Sequence, residues 1–280
     1  MLIPTADLVA AAAAERRAVL AFNVITLEHA EAIVDAAQRC ARPVILQLSE
    51  NAVRYHRSAG PVVAACRALA AEAGVAVAVH LDHVEDDALV RSAPALGVSS
   101  IMVDASTLPD EENVARTREA TGWLHERGLF VEAELGAIGG KGDAHTPGVR
   151  TDPAEAAAYV AATGVDALAV AVGSSHAMTT RTGSIDQELV RALAAAVPVP
   201  LVLHGSSGIP DAVLAEAVAN GIVKINVGTL LNVSFTAGLR AALAREPGKV
   251  DPRGPLRAAR AEVTEAVAGL LQALTPPHPA

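Results

Sequence analysis

Short, almost entirely apolar segments recur along the whole chain, separated by longer alanine-rich segments. Each apolar segment is typical of a strand covered on both faces, since a strand with one buried face would alternate apolar and polar residues. The pattern predicts eight strands: Val19–Val24, Val44–Ser49, Val75–His83, Ser100–Ser106, Phe130–Gly136, Ala167–Gly173, Pro200–Ser207 and Ile222–Thr229. Successive strands begin about 20–40 residues apart, which is the span of a strand–helix unit.

The intervening segments carry the signals of helices. Thr151–Glu155 contains a capping residue, an early proline and an early acid, and Ile209–Asp211 opens another helix. Glycines that could end a helix stand just before five strands, namely Gly74, Gly97, Gly128, Gly164 and Gly221. Eight such units predict an α/β fold, a single (β/α)8 TIM barrel over residues 1–280 with a C-terminal helical extension at about 255–274. The rival is an open doubly wound sheet, but the GxGxxG motif of its dinucleotide-binding form is missing after the first strand.

Composition narrows the class of function. The net charge is −9 and no basic cluster stands out, so we expect no nucleic-acid partner. No apolar run approaches the length of a membrane span, and the Ala10–Ala14 run leads at once into charged residues, so we expect neither a membrane partner nor a signal peptide. Cys40 and Cys66 match no metal or redox spacing and predict small buried thiols. A reducing compartment, the cytoplasm, is therefore expected.

Polar residues stand at the end of every predicted strand. In a TIM barrel these ends form one rim, and the active site lies there. The rim includes His83, His176 and His204, each of which alone would more often be a structural histidine. Three neutral imidazoles with one open position form a catalytic zinc site. We therefore predict a metal on the triple, with Glu134 as a fourth or alternating ligand and Asp104 orienting a ligand from behind.

Two segments rich in glycine and serine follow the seventh and eighth strands. They read His204-Gly-Ser-Ser-Gly and Asn226-Val-Gly-Thr. TIM barrels often bind phosphate at this position through backbone N–H groups and a helix N-terminus, although glycine and serine also make ordinary turns. A metal site beside a phosphate site predicts a phosphorylated substrate whose carbonyl or hydroxyl group meets the metal.

At these residues the chain resembles the class II, metal-dependent fructose-bisphosphate and tagatose-bisphosphate aldolases over nearly its whole length. The matching motifs are Ala21-Phe-Asn-Val24, His80-Leu-Asp-His83, Val131-Glu-Ala-Glu-Leu-Gly136, Thr163–Gly173 with His176, Leu201-Val-Leu-His-Gly205, Lys224-Ile-Asn-Val-Gly-Thr229 and Asp251-Pro-Arg253. The resemblance implies zinc on His83, His176 and His204, where it would polarise a ketone as a Lewis acid. It also implies that Asp82 donates the proton to the aldehyde oxygen. Imidazole sites accept several metals, so another divalent ion is an alternative.

The resemblance also implies the substrate and its contacts. The reaction would be the reversible aldol cleavage of a ketose 1,6-bisphosphate, of the fructose or tagatose type, to dihydroxyacetone phosphate and an aldehyde. Asn23 and Ser49 would contact the substrate, and Arg253 matches an arginine that holds the second phosphate in some members. Members are commonly dimers or tetramers, which predicts a homodimer or homotetramer, and some bind Na⁺ or K⁺ near the phosphate. The residues implied to hold the phosphate of dihydroxyacetone phosphate are Gly205, Ser206, Ser207, Asn226, Val227, Gly228 and Thr229.

The chain departs from the family pattern in the glycine-rich segment 137–150. The family's loop glutamate, which moves the C1 proton of the substrate, aligns with Gly142. Asp143 is adjacent and is our expected base, with His145 as the alternative. Ala177 also stands where the family usually has glycine. The changed loop leaves two further hypotheses, namely an aldolase for another phosphorylated sugar or sugar acid, and a sugar-phosphate-binding protein without catalysis.

Overall fold

Eight parallel strands close into a barrel in chain order, with β8 pairing to β1. The computed structural model describes residues 1–135 and 150–274. The strands are β1 Val19–Asn23, β2 Val44–Ser49, β3 Val77–Val84, β4 Ser100–Val103, β5 Phe130–Glu134, β6 Ala167–Ala169, β7 Leu201–Leu203 and β8 Ile222–Val227. The predicted TIM barrel is therefore confirmed.

The first helix precedes β1, and the others follow the strands and cover the outside of the barrel. They are α1 Thr5–Ala14, α2 Leu27–Cys40, α3 Glu50–Tyr55, α4 Ala59–Glu72, α5 Asp87–Leu96, α6 Asp110–His125, α7 Pro153–Thr163, α8 Gln187–Ala196, α9 Asp211–Ala219, α10 Thr229–Arg245 and α11 Arg253–Leu274. The last helix, α11, packs against α2 and α10, so it completes the helical layer where the barrel closes. Within residues 1–135 and 150–274, none of the helices is both long and apolar enough to cross a membrane.

Several strands end earlier than the apolar pattern predicted. The segments beginning at Ser100, Ala167 and Leu201 keep strand pairing for only four, three and three residues. The polar residues that follow turn the chain instead of continuing the ladder. Asp104 accepts hydrogen bonds from the backbone and hydroxyl of Ser106. Such side-chain bonds to nearby backbone compete with sheet pairing, so the rim residues lie in loops just beyond the strands.

Helix α1 closes the end of the barrel opposite the rim. Leu8 and Val9 are buried there against Val19, Ile45 and Ala78, which stand near the beginnings of their strands. Burying these aliphatic side chains stabilises the fold by about 25 cal/mol for each Å² of apolar surface removed from water. Because this end is sealed by packing, access to the barrel interior is from the carboxyl ends of the strands.

Candidate active site

A cavity of about 250 Å³ opens at the carboxyl ends of the strands. Its walls come from the ends of β1, β2, β3 and β8 and from the loops after β6 and β7. Most residues predicted from the sequence to form a site line it: Asn23, Ser49, Asp82, His83, His176, Gly205, Ser206, Ser207, Asn226, Gly228 and Thr229. Closure of the barrel thus brings into one cavity residues that are up to about two hundred positions apart in the chain.

A bulge near the end of β3 places two neighbouring side chains in this cavity. The pairing register with β4 shifts between Leu81 and Val84, and His83 adopts φ of 49°. Neighbouring residues of a regular strand face opposite sides, whereas here both Asp82 and His83 line the cavity. Left-handed backbone costs a residue with a side chain about 1–2 kcal/mol, and such outliers cluster at functional sites.

Three histidines meet beside the cavity. One nitrogen from each of His83, His176 and His204 can be chosen such that all three lie within 4.8 Å of one another. The ring centroids are 4.7 Å apart for His83 and His204 and 5.5 Å apart for His83 and His176. The first comes from the end of β3, the second from the β6–α8 loop, and the third directly follows β7.

Carboxylates behind two of these histidines select the nitrogen that faces the cluster. Nδ1 of His83 donates to Oδ2 of Asp104 at 2.7 Å, so Nε2 is the nitrogen able to act as a ligand. Nε2 of His204 donates to Oε1 of Glu132 at 3.0 Å. Its Nδ1 is buried without a hydrogen-bond partner among the described residues, with Oε2 of Glu134 3.4 Å away. Carboxylate–histidine pairs of this kind orient metal ligands, so the three residues fit a divalent cation.

The electrostatics agree with this arrangement. Burial lowers the pKa of His204, but the carboxylates of Glu132 and Glu134 outweigh it and raise the pKa to about 9. Burial raises the pKa of Glu132, but the nearby Lys224 and His204 bring it well below its usual range. The carboxylates of Glu132 and Glu134 therefore favour a positive charge at His204, and a bound metal would take the place of the proton there.

Asp82 is buried between two amide side chains. Its Oδ1 accepts from Nδ2 of Asn226 at 3.2 Å, and its Oδ2 accepts from Nε2 of Gln47 at 3.4 Å. Burial raises the pKa of Asp82, but the nearby His83 and His204 outweigh it, and the pKa is lowered. The carboxylate is therefore held ionised at the edge of the cavity, where it can accept a proton from a hydroxyl group.

The loops after β7 and β8 form a compact cradle. Gly205 has φ of 67°, and an added Cβ would lie 2.7 Å from the backbone carbon of Ser175. The hydroxyl of Ser206 donates to the carbonyl of Asn226 at 2.5 Å, and the hydroxyl of Ser207 accepts from the backbone of Leu230 at 3.1 Å. The N-terminus of α10 also opens here, which suits an anion.

Other residues predicted from the sequence lie away from the cavity wall. Asp104 and Glu134 are buried behind the histidines, and Val227 is buried in β8. Arg253 begins α11, is exposed and pairs with Asp251 at 2.6 Å, outside the residues that line the cavity. The predicted base, Asp143, and its alternative, His145, fall outside the described residues.

The sequence interpretation missed several residues of the site. Glu50 and Arg54 line the cavity and pair with each other, and the backbone of Glu85 donates to Oε2 of Glu50 at 2.6 Å. Glu50 and Arg54 lie on α3, and Glu85 follows β3. In the sequence they look like the charged residues that are common at helix starts, so they gave no signal of a site. Lys224 and Glu132 offered a clearer signal, because each is a charged residue inside an otherwise apolar strand.

A closed barrel of eight strand–helix units with three histidines at its carboxyl-terminal rim defines a TIM-barrel enzyme with a metal-type site. The sequence model of the class-II fructose-bisphosphate aldolase family matches residues 3–276, and the chain belongs to this family. It is therefore an aldolase, a lyase, of a family that is generally metal-dependent and acts on phosphorylated sugars.

Individual relatives agree with this assignment. A protein of Bacillus subtilis (strain 168) named "Probable fructose-bisphosphate aldolase" is 39% identical over 255 residues, covering 90% of each chain. The YdjI aldolase from Escherichia coli K12 is 31% identical, with a TM-score of 0.83 and 98% of each chain covered. The fructose-bisphosphate aldolase of Campylobacter jejuni, 23% identical with a TM-score of 0.83 over 98% of this chain and 95% of its own, shares the fold.

Proposed function

We propose that the chain catalyses the reversible aldol cleavage of a ketose 1,6-bisphosphate, of the fructose or tagatose type, to dihydroxyacetone phosphate and an aldehyde. The observation that carries this proposal is the cluster of His83, His176 and His204 beside an open cavity. These residues would hold a zinc ion, with Glu134 close enough to His204 to act as an alternating ligand. When bound, a divalent cation supplies a Lewis acid for the ketone of the substrate.

Asp82 would exchange the proton of the C4 hydroxyl group. Because the carboxylate is held ionised, it takes that proton when the C3–C4 bond breaks, and in the reverse direction it returns the proton to the aldehyde oxygen. The amide groups of Gln47 and Asn226 hold its two oxygens. This fixed position supports its assignment as the acid–base group, because proton transfer requires hydrogen-bonding distance.

The cradle formed by the loops after β7 and β8 would hold the phosphate of dihydroxyacetone phosphate. Gly205 lets the backbone approach closely, and the N-terminus of α10 contributes a partial positive charge. The proposed phosphate site and the histidine cluster border the same cavity, so one bound substrate could reach both. Arg253 is proposed for the second phosphate, and Asp143 for the transfer of the C1 proton.

Cleavage of fructose 1,6-bisphosphate and tagatose 1,6-bisphosphate tests this proposal. The metal-loaded protein should cleave at least one of them, a strong chelator should abolish the reaction, and added zinc should restore it. Full activity in a protein shown to be metal-free would refute the metal assignment. Asp143→Ala should slow exchange of the C1 proton of dihydroxyacetone phosphate with solvent. If Asp143→Ala and His145→Ala both leave turnover unchanged, neither residue is the base.

A second substrate class remains as an alternative, namely another phosphorylated sugar or sugar acid. The observation that favours it is Gly142 at the position of the family's loop glutamate. A panel of ketose phosphates compared by kcat/KM decides between the two. A preference of tenfold or more for either ketose 1,6-bisphosphate supports the first proposal. A preference for a ketose phosphate that releases a different aldehyde supports the alternative.

Four further proposals concern the whole protein. We propose that residues 1–280 form one domain, that the chain assembles as a homodimer or homotetramer, that Na⁺ or K⁺ binds near the phosphate, and that the protein is cytoplasmic. Light scattering measures the assembly, and the dependence of turnover on Na⁺ and K⁺ at constant ionic strength tests the second cation.

A further inference from the structure

One lysine, Lys224, is linked by hydrogen bonds both toward His204, a proposed metal ligand, and toward Asp82, the proposed acid. Lys224 is fully buried on β8, and its Nζ donates to Oε2 of Glu132 at 2.7 Å and to Oδ1 of Asn226 at 2.8 Å. Glu132 in turn accepts from His204, and Asn226 donates to Asp82. Two chains of hydrogen bonds therefore start at one ammonium group, and one ends at a proposed metal ligand and the other at the proposed acid.

The direction of every bond in these chains follows from the chemistry of the ammonium group. An ammonium only donates, so the amide oxygen of Asn226 must face Lys224 and the amide nitrogen must face Asp82. An ionised carboxylate only accepts, so Nε2 of His204 must carry the hydrogen that it donates to Glu132. Nδ1 of His204 is then the nitrogen left for the metal, which would replace any hydrogen there, and it lies 3.4 Å from Oε2 of Glu134.

We propose that Lys224 is a positioning residue that sets both the tautomer of His204 and the direction of the Asn226 amide. The proposal rests on the proposed function in taking His204 as a metal ligand and Asp82 as the acid. A buried ion pair is often no more stabilising than apolar residues of the same size. The pair of Lys224 and Glu132 is therefore better explained by the specific hydrogen bonds it imposes on the site than by packing alone.

The decisive test is a rescue that a purely structural role does not predict. In Glu132→Gln, Lys224 still requires an oxygen, so the new amide must turn its NH₂ group toward Nε2 of His204. That group donates, which moves the ring hydrogen to Nδ1 and removes the lone pair needed for the metal. Zinc affinity, measured by chelator competition, should fall about 10- to 100-fold.

Removing the lysine as well should restore binding. In Glu132→Gln/Lys224→Met the amide is free to turn its oxygen toward His204, and zinc affinity should return to within about fivefold of wild type. Turnover should stay low in the double variant, because nothing then fixes the amide of Asn226. The matched control is the exposed pair of Glu246 and Lys249, 2.9 Å apart. Glu246→Gln and Glu246→Gln/Lys249→Met should leave both zinc affinity and turnover unchanged.

Two outcomes would overturn the proposal: a folded Glu132→Gln that binds zinc as tightly as wild type, or a double variant that binds no more tightly than Glu132→Gln. If Glu132→Gln fails to fold, nitrogen NMR of the zinc-loaded wild type decides. The proposal requires a hydrogen on Nε2 of His204, and a hydrogen on Nδ1 refutes it. A wild type that cleaves no ketose phosphate would refute the proposed function. The zinc affinities of the variants would still test the role of Lys224, because they do not depend on turnover.

Discussion

Asp104→Asn is a sharp test of the hydrogen-bond directions around His83, because asparagine keeps the shape of aspartate and changes only one oxygen to NH₂. Oδ1 of Asp104 accepts from the backbone and hydroxyl of Ser106, at 3.2 Å and 2.6 Å, and Oδ2 accepts from Nδ1 of His83 at 2.7 Å. The backbone N–H of Ser106 needs an oxygen, so the NH₂ group must face His83. It then donates to Nδ1, and the ring hydrogen moves to Nε2, where the metal should bind.

The size of the effect follows from the cost of undoing this arrangement. To bind metal, the asparagine must turn its oxygen toward His83 and leave the N–H of Ser106 facing an NH₂ group. Asp104 is 2% exposed, so water gives little compensation. A buried donor without a partner costs about 1–3 kcal/mol. Because 1.4 kcal/mol is a factor of ten, the dissociation constant for zinc should rise about 5- to 150-fold.

Competition with a chromogenic zinc chelator measures this change in metal-free protein whose fold has been checked by circular dichroism. Asp166→Asn is the matched control, because Oδ2 of Asp166 accepts from both His125 and the backbone of Val131, and one amide oxygen can replace it. Zinc affinity should be unchanged in the control. An Asp104→Asn protein that binds zinc within twofold of wild type would refute the assignment of His83 as a ligand held by Asp104.

Three other experiments test the backbone of the site and a buried histidine. Gly205→Ala should weaken binding of dihydroxyacetone phosphate and lower the Tm, since its Cβ would lie 2.7 Å from the backbone of Ser175. The control Gly128→Ala has φ of 74° and open space around it, so it should lower the free energy of unfolding by only about 1 kcal/mol. Equal losses of stability in both variants would contradict the close approach at Gly205. Ala177→Gly should raise the free energy of unfolding by about 0.5–1 kcal/mol, because Ala177 has φ of 59°; a lower Tm in thermal melts would contradict this. Burial lowers the pKa of His29 from 6.5 to about 4, so its contribution to stability is present above pH 6.5 and is lost as the pH falls toward 4. Denaturant unfolding of wild type should lose about 2 kcal/mol from this residue between pH 7 and pH 5, and an equal loss in His29→Gln would show that His29 is not responsible.

The fold could be predicted because it depends on patterns that are local in the sequence. Apolar runs such as Val44–Ser49, buried on both faces, mark parallel strands, and their spacing sets the strand–helix alternation. Strand ends were less predictable, because a side chain such as that of Asp104 can capture the backbone and end the ladder. The helix α1 that seals the barrel also had no distinct signal, because its alanines suit any helix.

The site could be predicted only as far as residue type and rim position determine it. His83, His176 and His204 were recognisable because each lies at or after the end of a predicted strand, and the barrel brings strand ends together. The left-handed backbone of His83 was not predictable, because nothing in Asp82-His83 itself requires a bulge. Pairings across the barrel, such as Lys224 with Glu132, join residues 92 positions apart and depend on the shear of the closed sheet.

The central claim is that the three histidines hold one metal ion on which aldol cleavage depends. Stepwise addition of zinc to metal-free protein, with bound zinc and cleavage of the preferred ketose bisphosphate measured in the same samples, tests it most directly. Cleavage should rise in proportion to bound zinc and stop rising at one zinc per chain, and His176→Ala should abolish both signals. Full cleavage before any zinc is added, or undiminished cleavage by His176→Ala, would contradict the claim.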